Sequence, residues 1–119
     1  MRIGADYYPE HWEKERWKTD AEMMVKANIK VIRIGEFAWS LYEPEEGKYE
    51  FDWMDEALDF FGKYGIKVVM CTPSATPPKW MIDKYPDILQ NDIHGNPKLF
   101  GTRKHYCFNS ETYREKTKK

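Results

Sequence analysis

Two stretches of this chain, Ile29 to Ile34 and Ile66 to Cys71, repeat one pattern, and that repeat narrows the possible folds more than anything else in the sequence. Each opens Ile-Lys-Val and runs on into further apolar residues. Each follows an amphipathic stretch that closes on Lys26-Ala27-Asn28 or Lys63-Tyr64-Gly65. The spacing of about 37 residues is the length of one strand–helix unit with a generous loop. Unbroken apolar strands separated by helices point to a parallel sheet covered by helices. The chain therefore reads as the opening of a repeated β/α architecture, and any active site it contributes to is incomplete within it.

The rest of the chain fills in that frame. Arg2 to Tyr8 reads as a first strand, stopped by Pro9. Between Trp12 and Lys26, Trp17, Ala21, Met24 and Val25 recur at helical spacing on one face. Asn28 suits the end of that helix because it tolerates a left-handed backbone. Glu36 to Glu50 reads as a loop. Trp53, Ala57, Leu58 and Phe61 mark a second helix, with Asp52 as its N-cap and Gly65 as its stop. Thr72 to Pro78 is a turn, Lys79 to Lys84 a helical turn, and Pro86 to Phe100 a long loop. A further helix starts near Ser110.

Loops leaving the strands are long and loops entering them are two or three residues. In a (β/α)8 barrel, functional groups gather where strands exit. Doubly wound sheets share that bias, but no Gly-rich phosphate turn follows the first strand, so a nucleotide-binding fold is disfavoured.

Composition excludes several classes. A net charge of −1 with mixed signs leaves no basic stripe for nucleic acid and no patch for anionic membranes. The lysines at 116, 118 and 119 read as a solvated helix end. No leader is visible, and no window has the apolar length of a membrane span. Two cysteines, Cys71 and Cys107, are not a disulfide framework, and a cytoplasmic setting is expected.

The strand exits carry Asp6, Tyr7, Tyr8, Glu10, His11 and Trp12, then Arg33, Glu36, Phe37 and Trp39, then Thr72, Ser74 and Trp80. Carboxylates and an arginine beside aromatic faces suit a sugar-binding cleft, because pyranose C–H faces stack on rings while hydroxyls take charged partners. Ser74 has no histidine at nucleophile-elbow spacing, which leaves an acyl hydrolase unsupported. His105 reads as a hydrogen-bonded structural residue, and Cys71 as a small core residue. Glu10 and Glu36 lie at neighbouring strand exits. A retaining glycosidase pair must face each other across the sugar at about 5 to 5.5 Å, so these two are not taken as the catalytic pair.

Four longer motifs occur in order: Asp6-Tyr7-Tyr8-Pro9-Glu10-His11-Trp12, Arg33-Ile34-Gly35-Glu36-Phe37-Ala38-Trp39-Ser40, Thr72-Pro73-Ser74-Ala75-Thr76-Pro77-Pro78-Lys79-Trp80 and Arg103-Lys104-His105-Tyr106-Cys107-Phe108. Together they resemble the N-terminal part of a glycoside hydrolase family 42 β-galactosidase, over essentially the whole chain. The resemblance implies an α/β fold, the N-terminal portion (about three β/α units) of a (β/α)8 TIM barrel, in a retaining enzyme acting on β-galactosides. It implies that the acid/base and nucleophile glutamates lie beyond Lys119, so the isolated fragment is expected to be inactive. Arg103 matches an arginine that contacts the galactose, and Arg33 one that orients the nucleophilic carboxylate. Cys107 matches the first of four cysteines holding a structural zinc in some members, while catalysis itself needs no cofactor. A homo-oligomer, a trimer, is implied for the intact enzyme. The rival reading is a non-catalytic carbohydrate-binding or interaction protein made from a partial barrel. Three parallel strands with open edges also lead us to expect poor solubility or a loose compact state of the fragment.

Overall fold

The computed structural model describes residues 3–102 and 104–118. In chain order the elements are β1 (Ile3–Asp6), α1 (Lys14–Lys26), β2 (Ile29–Ile34), α2 (Trp39–Tyr42), α3 (Asp52–Lys63), β3 (Lys67–Met70), α4 (Lys79–Lys84) and α5 (Glu111–Lys116). Short 3₁₀ turns lie at Pro9–His11, Pro73–Ala75 and Pro86–Ile88. The chain forms two compact units from interleaved segments, one from 1–36 with 50–72, the other from 37–49 with 73–119.

The first unit is a parallel sheet of order β1-β2-β3 with α1 and α3 packed on it. Ile32 pairs with Ala5 and Val68, and Arg33 with Asp6 and Val69. Pairing continues past the strand ends, where Tyr7 N donates to Arg33 O at 3.0 Å and Cys71 N to Ile34 O at 2.9 Å. Alternate residues of a strand face opposite sides. Ile32 and Ile34 are buried together with Trp17, Ala21 and Met24 of α1 and Met54, Ala57 and Phe61 of α3. Tyr7 meets Phe61 edge-on at 5.2 Å, and Trp17 packs on Phe60 at 5.8 Å. Trp17 Nε1 donates to Pro9 O at 3.0 Å, which satisfies the one polar atom of a buried indole.

Helix ends follow the local chemistry. Asn28 has φ 57° and Gly65 φ 70°, the left-handed turns expected after α1 and α3. Two details differ from expectation. Val25 is 41% exposed, so the buried stripe of α1 is narrower than its apolar residues suggest. Asp52 is the first helical residue of α3 rather than its cap; Phe51 holds the cap position without a side-chain hydrogen bond, and Asp52 meets the helix dipole from the first turn instead.

The second unit has its own core of Trp39, Met81, Ile82, Ile88, Tyr106 and Tyr113. Tyr106 stacks on Tyr113 with ring centroids 4.8 Å apart. The segment 37–49, expected as loop, contains α2, whose Trp39 and Tyr42 are buried. Buried Glu43 is satisfied by Trp39 Nε1 at 2.9 Å and Gly47 N at 2.8 Å, and its carbonyl accepts from Trp80 Nε1 at 2.8 Å. The last helix begins where expected, with Ser110 Oγ accepting from Tyr113 N at 3.2 Å. Lys116 is a correction. It is not a solvated helix end: its ammonium pairs with Glu46 and lies 4.6 Å from the Tyr85 ring centre, with 16% of the side chain exposed.

Candidate functional site

β1 and β2 end on the same level of the sheet, and the register places Asp6 directly beside Arg33. Their side chains leave the sheet on the face opposite Ile32 and Ile34, the face that α1 and α3 leave uncovered. Gly4, Val31 and, on β3, Val69 share that face by alternation and register. An open hollow of about 340 Å³ lies there, lined by Gly4, Ala5, Asp6, Val31 and Arg33. At Gly4 the neighbouring strand is close: a Cβ there would come within 3.1 Å of Val31 O.

The arginine at the rim is held from two sides. Arg33 Nε donates to Asp6 Oδ1 at 2.8 Å and Nη2 to Asp6 Oδ2 at 3.2 Å, a fork-on-fork pairing. Nη2 also donates to Glu36 Oε2 at 2.7 Å. The hydrogen bonds to Asp6, then the nearby charges of Asp6 and Glu36, raise the Arg33 pKa above its ordinary value, so the guanidinium stays charged. Tyr8, on the chain leaving β1, has its phenol pushed up by desolvation and then by Glu36 and Asp6, while a hydrogen bond from Arg33 opposes them. His11 stacks on Tyr8 at 5.3 Å. Asp6, Tyr8, Arg33 and Glu36 thus form one charged group with an aromatic flank at the ends of β1 and β2.

The remaining strand-exit residues differ in what surrounds them. Tyr7 is buried and donates to Asp20 Oδ2 at 2.9 Å, and burial is the main cause of its raised pKa. Trp12 is exposed, with Arg16 over its ring at 4.7 Å. Both carboxylate oxygens of Glu10 are enclosed without a hydrogen-bond partner among the described residues, and Glu36 is committed to Arg33.

In the second unit, Trp80 is tied to Glu43 and Ser74 O accepts from the Tyr113 hydroxyl. His105 is buried, with its Nδ1 2.8 Å from Thr102 O, the structural role expected of it. Arg103 lies outside the described residues. Cys107 is half-buried, and both cysteines are free. Among the described residues no group of three or more His, Cys, Asp or Glu is placed to hold a metal ion. A closed zinc site needs four ligands; Cys107 is expected as one of them, with the others outside these residues. No helix among the described residues is long and apolar enough to cross a membrane.

Asp6 is the member of this charged group that its motif does not single out. The signal was available in the register: two parallel strands ending together place Asp6 opposite Arg33.

Comparison with known proteins gives the family of the chain. A family model described as beta-galactosidase, glycoside hydrolase family 42, matches residues 6–119. Beta-galactosidase BgaH of Haloferax lucentense is 50% identical over 119 residues, and a beta-galactosidase of Thermus thermophilus is 54% identical over 117. These alignments cover 100% and 98% of this chain but 18% of each relative. The solved beta-galactosidase of Halorubrum lacusprofundi superposes with a TM-score of 0.92 at 48% identity, over 98% of this chain and 18% of that one. That of Bacillus circulans sp. alkalophilus gives 0.94 at 36% identity, over 99% and 18%. The parallel β/α units are those of the N-terminal portion of a (β/α)8 barrel, and the chain belongs to the glycoside hydrolase family 42 β-galactosidases.

Proposed function

We propose that these 119 residues are the N-terminal segment of the catalytic barrel of a retaining β-galactosidase, and that the segment supplies walls and orienting groups rather than the reacting carboxylates. The observation that carries this reading is the charged group at the ends of β1 and β2, on the uncovered face of a sheet whose relatives are β-galactosidases. The chemistry is a double displacement. A carboxylate attacks the anomeric carbon while a second carboxyl protonates the glycosidic oxygen, so that bond breaks and the aglycone departs, leaving a galactosyl–enzyme. The second carboxylate then takes a proton from water, which attacks the same carbon and frees galactose and the nucleophile. Both carboxyl groups come from parts of the protein outside these residues.

In this reading Arg33 keeps the nucleophilic carboxylate ionised and oriented, because a fixed guanidinium favours the charged form of an acceptor beside it. Arg103 contacts the sugar. Tyr8 and His11 offer ring faces to its C–H surface. No cofactor enters the reaction, and two free cysteines suit a cytoplasmic enzyme. The test uses the full-length protein containing this segment. Proton NMR of the first product from a nitrophenyl β-D-galactoside should show β-galactose before mutarotation. The α-anomer as first product, or no cleavage of β-galactosides, would overturn the assignment.

A further inference from the structure

The geometry gives Arg33 two carboxylates where one would neutralise it. Asp6 and Glu36 together carry −2 against the +1 of the guanidinium. The bond pattern shows how the two carboxylates divide the guanidinium between them. Of the five N–H bonds of a guanidinium, the three directed at Asp6 and Glu36 occupy Nε and Nη2. The other two are on Nη1, and with Tyr8 also accepting a hydrogen bond from Arg33, one N–H of Nη1 is left for a further acceptor.

The two carboxylates differ in what they can fix. Glu36 sits three residues after Arg33 on the chain leaving the same strand, and it can follow Arg33 wherever that strand end goes. Asp6 sits on the neighbouring strand as the register partner of Arg33, and it grips Nε and Nη2 together. A bidentate grip from a second strand sets the plane of the guanidinium relative to the sheet itself. We infer that Asp6 is a positioning residue, which locks Arg33 edge-on to β1 so that its Nη1 edge is presented to an acceptor group in the site. The inference rests on the reading above for the identity of that acceptor, the nucleophilic carboxylate.

Asp6→Ala and Asp6→Asn in the full-length protein test it. A misplaced orienting group costs about a hundredfold in rate. The expected result is a fall in kcat of about that size in Asp6→Ala, with KM changed less than about threefold. Added formate should restore part of the kcat of Asp6→Ala by replacing the lost carboxylate. Asp6→Asn is nearly isosteric and keeps the fold while losing the charge; it should show the same kcat-specific loss.

A second readout does not depend on galactoside chemistry. The rate at which phenylglyoxal modifies Arg33, followed by peptide mass spectrometry, should rise several-fold in both variants. If the wild-type protein leaves β-galactosides intact, the functional reading fails while the phenylglyoxal comparison still decides the role of Asp6. An unchanged modification rate, an unchanged kcat, or a kcat loss that formate cannot restore would overturn the inference.

Discussion

Replacing Phe61 by alanine tests how the sheet is held beneath the site. Phe61 is fully buried between the sheet and α1, with the ring of Tyr7 at 5.2 Å, Phe60 at 5.4 Å and Trp17 at 6.2 Å. A phenyl side chain buries roughly 200 Å². At about 25 cal/mol/Å² this is worth about 5 kcal/mol as an upper bound. Alanine keeps the Cβ share of that, but its neighbours are stiff rings that cannot collapse into the space. A loss of about 4 kcal/mol follows, inside the range of about 3–5 kcal/mol for such truncations. Hydrogen exchange followed by mass spectrometry on the peptide spanning Ile29–Ile34 reads this directly. Opening of the first unit exposes those amides, and 4 kcal/mol corresponds to about a thousandfold loss of protection. Phe61→Leu keeps most of the volume and should cost less than about 1.5 kcal/mol, about tenfold. A loss below tenfold for Phe61→Ala would refute the view that this ring is the keystone of the first unit.

In the second unit, Glu46 takes hydrogen bonds from Lys116, Lys84 and Tyr85, in that order of effect, and they hold its pKa at about 2 against an ordinary 4.5. A depressed carboxylate stabilises above its unfolded pKa and loses that contribution as pH falls through the folded one. Exchange protection of α5 should therefore decline between about pH 4.5 and 2, and Glu46→Gln should remove that dependence. Ser110→Ala deletes the cap on Tyr113 N and should cost about 1 kcal/mol, about a fivefold loss of protection in α5, whereas Ser110→Asp should not. Val69 and Met70 on β3 are 50% and 52% exposed. The 119-residue chain on its own should associate in light-scattering measurements, and Val69→Lys should reduce that association; a monodisperse monomer with a sharp melt would contradict it.

How much of this was legible depended on how far apart the deciding residues lie. β2, β3, α1 and α3 follow from short-range periodicity, and the left-handed Asn28 and Gly65 from residue type. Arg33 was found at a strand exit from its motif. α2 was missed because one turn shows no periodicity; Trp39 and Tyr42 are helical there because burial and the Glu43 hydrogen bonds hold them. Lys116 looked like a solvated cation because its partner, Glu46, is 70 residues away in sequence. Asp6 looked like one carboxylate among several until register put it against Arg33, 27 residues later.

The claim underlying all of this is that these residues frame a galactoside site and do not cleave the bond themselves. Nitrophenol release from a nitrophenyl β-D-galactoside should be measured side by side for the 119-residue chain and for the full-length protein. The account requires turnover by the full-length protein and none by the 119 residues alone. Turnover by the 119 residues, at a rate abolished by Arg33→Met, would contradict it.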